Sequence, residues 1–137
     1  MNEGPVFIVD NDQDDQEFIR SVWQELKYQN ELLFFQRGEA VLRYLKTNAV
    51  VPFLIISDVN LPGKDGYELK KQVLDGNALY YKSVPFVFLS DKVSNEQIKK
   101  AYDLRVNGFF IKDNTLQELK STFAAIVQYW MRSVVPE

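Results

Sequence analysis

The chain has 137 residues, 46% hydrophobic and 14% aromatic, enough to bury a core but short for two ordinary domains. Its net charge of −3 opposes a general affinity for nucleic acid, and with neither cysteine nor histidine it lacks a disulfide framework, thiolate metal sites and the usual zinc and triad chemistry. No apolar stretch approaches the ~20 residues that span a bilayer, and Met1-Asn2-Glu3-Gly4 lacks signal-peptide character, so a cytoplasmic protein with no membrane partner is expected.

In chain order, Val6 to Val9 is an apolar run of strand length that ends in Asp10-Asn11-Asp12-Gln13-Asp14-Asp15. Phe18, Ile19, Val22, Trp23 and Leu26 then recur at helical spacing, and Asp12 suits the cap of a helix beginning near Asp14. A second strand, Leu32 to Phe35, is followed across Gly38 by the stripe Val41, Leu42, Leu45. Phe53 to Ile56 is a third strand; after Ser57 it delivers Asp58 to its carboxyl end, ahead of the turn signals in Val59-Asn60-Leu61-Pro62-Gly63-Lys64-Asp65-Gly66. Leu69, Val73 and Leu74 predict the next helix, and Pro85 to Leu89 a fourth strand before Ser90-Asp91.

Ser94-x-x-Gln97 has capping-box form and opens the stripe Ile98, Ala101, Tyr102. Gly108 leads into a fifth strand, Phe109 to Ile111, which ends at Lys112. Thr115-x-x-Glu118 is a second capping box, followed by Leu116, Leu119, Phe123, Ile126 and Trp130, with the apolar tail through Met131 extending the last helix. Lys70-Lys71 and Lys99-Lys100 lie in helical segments and read as solvated faces.

Strand and helix alternate throughout, which demands right-handed crossovers and an α/β fold: a doubly wound parallel sheet with helices on both faces. One domain over 1–137 is expected, with nothing left over for an effector domain. Ligands of such sheets bind outside the carboxyl ends of the strands, where Asp10 and Asp58 both fall. Asp10-x-Asp12-x-Asp14 imitates the start of a calcium loop, but Asp15 stands where that loop needs glycine and Ser21 where it needs a bidentate glutamate. Asp65-Gly66 reads as a turn.

Acids after the first strand, Asp58 after the third with Leu61-Pro62-Gly63-x-Asp65-Gly66 behind it, Ser90 after the fourth and Lys112 ending the fifth make the chain resemble a response-regulator receiver domain, similar to stand-alone chemotaxis-type receivers. The resemblance covers nearly the whole chain and implies five parallel strands in the flavodoxin-like order 2-1-3-4-5. It implies that Asp58 accepts a phosphoryl group from a sensor histidine kinase or histidine phosphotransfer protein, without the chain being an enzyme in its own right. It implies Mg²⁺ held by Asp10, Asn11, Asp58 and the backbone carbonyl of Asn60. Ser90 and Lys112 become phosphate-binding groups and Phe109 the switch aromatic. Asp12, Asp91 and Lys92 are candidate modulators. Output to an unidentified downstream protein, or a homodimer contact, is expected at the face of the fourth helix, fifth strand and fifth helix.

Three departures qualify the match. Asn11 stands where the family usually has a second acid, so weaker Mg²⁺ binding is expected. Asp91 stands where a small residue is usual, so slower phosphorylation is expected. Asp113 replaces the usual proline after Lys112, removing the easy route to a cis bond, so the loop is expected to aim Lys112 differently. The competing reading is a phosphorylation-independent binding module on a drifted receiver fold. A hydrolase with an aspartyl intermediate would need an acid where Asn60 stands, and a flavodoxin-like cofactor binder would need a phosphate-cradling loop after the first strand.

Overall fold

The computed structural model describes residues 3–75, 83–91, 93–112 and 114–134. The strands are β1 (Val6–Val9), β2 (Leu32–Phe35), β3 (Leu54–Ser57), β4 (Phe86–Ser90) and β5 (Phe109–Ile111). The helices are α1 (Gln13–Leu26), α2 (Gly38–Thr47), α3 (Gly66–Asp75), α4 (Asn95–Asp103) and α5 (Leu116–Arg132). All five strands are parallel in the order β2-β1-β3-β4-β5, the expected topology.

Because successive side chains of a strand point to opposite faces, each strand feeds two cores. Phe7, Val9, Ile55, Phe86 and Phe88 pack with Val41 and Leu45 of α2, Leu69 and Val73 of α3 and Ala101 of α4. Val6, Ile8, Leu54, Ile56, Val87 and Leu89 pack with Ile19, Val22 and Trp23 of α1 and with Leu119, Phe123, Ile126 and Val127 of α5. Burial on both faces explains why these strands are continuous apolar runs rather than alternating ones.

The expected boundaries shift at two strands. Pro85 has no N–H to donate, so β4 begins at Phe86, and Ser90 closes it by pairing with Ile111. Ser57 likewise belongs to β3, opposite Val9, and is fully buried. Gly38 opens α2 instead of lying in the connection before it. Two residues of the predicted stripes face solvent, Tyr102 at 52% and Leu116 at 38% exposure.

Lys70 is the clearest correction. Its neighbours Lys71, Lys99 and Lys100 are exposed as expected, but Lys70 is only 3% exposed, its ammonium 5.4 Å from the Phe86 ring centre. It shares the inward face of α3 with Tyr67, and the long aliphatic stem tolerates that position where a shorter charged side chain would not.

Candidate functional site

Register brings the site together. Val9 lies opposite Ser57, so the next residues, Asp10 and Asp58, leave neighbouring strands side by side, and the Asp58 N–H donates to the Val9 carbonyl at 2.9 Å. On the other side Ser90 ends β4 opposite Ile111, and the Lys112 N–H donates to the Ser90 carbonyl at 2.8 Å. Four side chains thus meet at the carboxyl edge of three adjacent central strands and the neighbouring edge strand.

Lys112 is their centre. Its Nζ lies 2.8 Å from Asp10 Oδ2, 2.8 Å from Asp15 Oδ2 and 2.9 Å from Asp58 Oδ2, and its side chain is 7% exposed. The other Asp58 oxygen, Oδ1, accepts from Ser90 Oγ at 3.0 Å and from the Asn60 N–H at 3.1 Å. Lys112 therefore reaches the site without the proline that usually follows it. Burial works against the charge of Lys112, yet its hydrogen bonds to Asp10 and Asp15 outweigh that cost and hold the ammonium above the ordinary lysine range. Asp10, buried at the strand end, has its carboxyl pushed up by desolvation against the pull of Lys112.

The β1–α1 loop is fixed by its own polar groups. Asp10 Oδ1 accepts from the Asp12 N–H at 2.9 Å, and Gln16 Nε2 donates to the Asp10 carbonyl at 2.6 Å. Asp12 caps α1, accepting from the N–H groups of Asp14 at 2.8 Å and Asp15 at 3.2 Å, so its carboxylate serves the helix. Asn11 is exposed. Asp65 caps α3 through the Glu68 N–H at 2.9 Å, in keeping with its turn reading.

Asp91 is exposed and lines, with Asp15, Phe18, Ile19, Leu119 and Lys112, a groove of about 180 Å³ beside the site. Phe109 is half-buried, its ring 5.7 Å from that of Phe88. Lys92 and Asp113 lie outside the described residues. Sequence reasoning passed over Asp15 and Gln16. The available signal was position: Asp15 sits four residues before Ile19 on the buried stripe of α1, where a carboxylate needs a partner.

Sheet order and the assembly at its edge define a receiver, the phosphoacceptor module of two-component signalling. The chain belongs to the response regulator receiver domain family, which matches residues 6–124. It is 27% identical over 117 residues to the probable methanogenesis regulatory protein FilR2 of Methanothrix harundinacea, covering 82% of this chain and 74% of that one. It is 26% identical to response regulator Rcp1 of Synechocystis over 94% of this chain and 90% of Rcp1.

Among solved structures, the phosphorylated cyanobacterial phytochrome response regulator RcpA superposes with a TM-score of 0.88 at 28% identity, covering 98% of this chain and 99% of RcpA. Rcp1 in its Mn²⁺-bound form gives 0.83 at 25% identity, over 98% and 99% of the two chains. Receivers are signalling modules that work with histidine kinases or phosphotransfer proteins. Among the described residues no helix is long and apolar enough to cross a membrane.

Proposed function

We propose that Asp58 is the phosphoacceptor and that the chain relays the phosphoryl state by protein contact, with Lys112 and Ser90 as the groups that receive the phosphoryl oxygens. The observation that carries this reading is the engagement of both Asp58 oxygens: Lys112 on one, Ser90 and the Asn60 N–H on the other. A carboxylate so held is oriented before a donor arrives. In the transfer, an Asp58 oxygen attacks phosphorus, a new O–P bond forms and the P–N bond to the donor histidine breaks. The departing imidazole nitrogen keeps that bonding pair.

Mg²⁺ is the proposed metal, and the donor set suits it. Asp10 Oδ2 and Asp58 Oδ2 lie side by side, both within 2.9 Å of Lys112 Nζ, and hard oxygen donors of this kind with the Asn60 carbonyl match Mg²⁺ chemistry. Among the described residues no three acid, histidine or cysteine side chains form a metal cage, so water would complete the shell. When bound, the ion would cancel charge between the dianionic phosphoryl group and the carboxylates. Asn11 offers an uncharged amide on the exposed side, consistent with weaker binding.

Asp91, lining the groove beside Lys112, is proposed to slow donor approach by repulsion. Output is assigned to the face carrying Tyr102 of α4, Ile111 of β5 and Leu116 of α5, three exposed apolar side chains suited to a downstream protein or a second copy. The donor is a histidine kinase or phosphotransfer protein, and the setting is cytoplasmic. Intact mass after incubation with a small phosphodonor tests the reading: a Mg²⁺-dependent gain of one phosphoryl group, absent in Asp58→Asn, is expected. No gain under any condition favours the drifted binding module.

A further inference from the structure

A lysine ammonium has three N–H donors, and Lys112 commits its own to three carboxylates, those of Asp10, Asp15 and Asp58, at 2.8, 2.8 and 2.9 Å. Those lengths are typical of charge-assisted hydrogen bonds. Asp10 and Asp58 come from strand ends, whereas Asp15 comes from the first turn of α1, 97 residues before Lys112 in the chain. Asp15 is 32% exposed and Lys112 7%, so the Asp15 carboxylate forms the outer wall of the lysine's cage.

From these contacts we infer that Asp15 is a positioning residue for phosphoryl transfer: it holds the Lys112 ammonium in place while the ammonium exchanges one partner for another. The inference rests on the reading of Asp58 as acceptor. Once its oxygen is bonded to phosphorus, Asp58 is a weaker acceptor than the phosphoryl oxygens, which carry about −1.5 to −2 charges. Lys112 then turns one N–H from Asp58 to the phosphoryl group. Asp10 is shared with the proposed metal. Asp15 has no other task in the site, and it alone remains a fixed partner for an ammonium on a flexible four-carbon stem.

A purely structural account is available: an acid in the first turn of a helix interacts favourably with the helix dipole. Asp14 supplies the control, since it lies in the same turn and is exposed. The experiment follows labelling of the whole chain by phosphoramidate with Mg²⁺, in wild type, Asp15→Asn, Asp15→Glu and Asp14→Asn, by intact mass over time. In that reaction the P–N bond breaks, the Asp58 O–P bond forms and ammonia departs after taking a proton from water.

Asp15→Asn is expected to lower the maximal rate about tenfold, the scale of one hydrogen bond to a charged group, with donor half-saturation changed by less than about twofold. Asp15→Glu regains part of the rate and Asp14→Asn keeps all of it. In proton–nitrogen spectra of the unphosphorylated protein, the Lys112 ammonium signal is sharp in wild type and broadened by exchange in Asp15→Asn. Labelling of Asp15→Asn at the wild-type rate, or equal slowing by Asp14→Asn, overturns the inference and leaves Asp58 as acceptor. A wild type that takes no phosphoryl group overturns the Asp58 reading itself, and the role of Asp15 in transfer with it. Should Asp15→Asn not fold, Asp15→Ser removes the same carboxylate and is read the same way.

Discussion

Ser90 Oγ donates to Asp58 Oδ1 at 3.0 Å, so the hydroxyl assigned to a phosphoryl oxygen is already at the acceptor carboxylate. Ser90 is fully buried at the end of β4, two residues beyond Phe88, whose ring packs against Phe109. The travel left to the hydroxyl on phosphorylation is short. Ser90→Ala removes one hydrogen bond to a charged acceptor, worth about 1.5 kcal/mol, and is expected to slow labelling by a small phosphodonor about tenfold. A time course of intact mass checks this; unchanged labelling would mean that the hydroxyl serves the resting state alone.

Lys112→Met leaves three carboxylates without their common cation, and breaking a buried ion pair of this kind is expected to cost about 3 kcal/mol at neutral pH. Asp10, already pushed up by burial, loses the opposing pull of Lys112 and rises further. An acid whose folded value exceeds its unfolded one stabilises the fold below the unfolded value, and that stability is lost as pH rises through the folded value. The gap between variant and wild type therefore narrows as pH falls from about 7 to about 5. Urea melts across that range decide it, and a gap that widens in acid would contradict the assignment.

What the sequence made legible follows from where each signal is local. Apolar runs located all five strands: β1, β3 and β4 are buried throughout and carry their evidence within four or five residues, and β2 and β5, only partly buried, are still short runs of apolar residues. The ends of β3 and β4 were misjudged because Ser57 and Ser90 are polar, while the hydrogen-bond ladder that ends a strand ignores polarity. Lys70 was misread for a related reason: its charge argued for solvent, but its stem lies among buried residues. Lys112 was brought into the site of Asp58, 54 residues away, only through family resemblance, and Asp15, 97 residues from Lys112, had no such guide. Local pattern fixes elements; the meeting of distant side chains depends on sheet order and register.

Lys70 offers a pH test remote from the site. Desolvation lowers its ammonium below the ordinary lysine value of 10.5, and among the described residues no carboxylate pairs with it. Between the lowered folded value and the unfolded one, the unfolded chain binds more protons, so stability rises with pH across that window. Lys70→Met keeps the stem's packing without the buried charge, and is expected to be more stable by about 1 kcal/mol at neutral pH. Its advantage shrinks as pH approaches about 10. Thermal melts at neutral and alkaline pH measure it; an advantage that does not shrink would remove desolvation as the cause.

Gly66 ties the acceptor's backbone to α3 more tightly than a turn signal implies. A Cβ there would collide with the Asp58 carbonyl oxygen and lie 2.8 Å from Phe88 Cε1 and 3.0 Å from Val59 Cα, while the Gly66 N–H donates to the Val59 carbonyl at 2.8 Å. Two of these atoms are backbone, so no side-chain rotation relieves the crowding. Gly66→Ala is expected to cost about 2 kcal/mol in stability, as overpacking does. It also displaces Asp58 from Lys112 and Ser90, slowing labelling beyond what the stability loss explains, because the folded fraction stays near unity. Gly38→Ala is the control: its nearest neighbour, Leu69 Cβ, is 3.4 Å away, and Gly38 opens a helix, where alanine is the better former. Chemical melts and labelling rates of the two variants give the comparison, and equal behaviour would show that the close approach at Gly66 is absorbed without moving the acceptor.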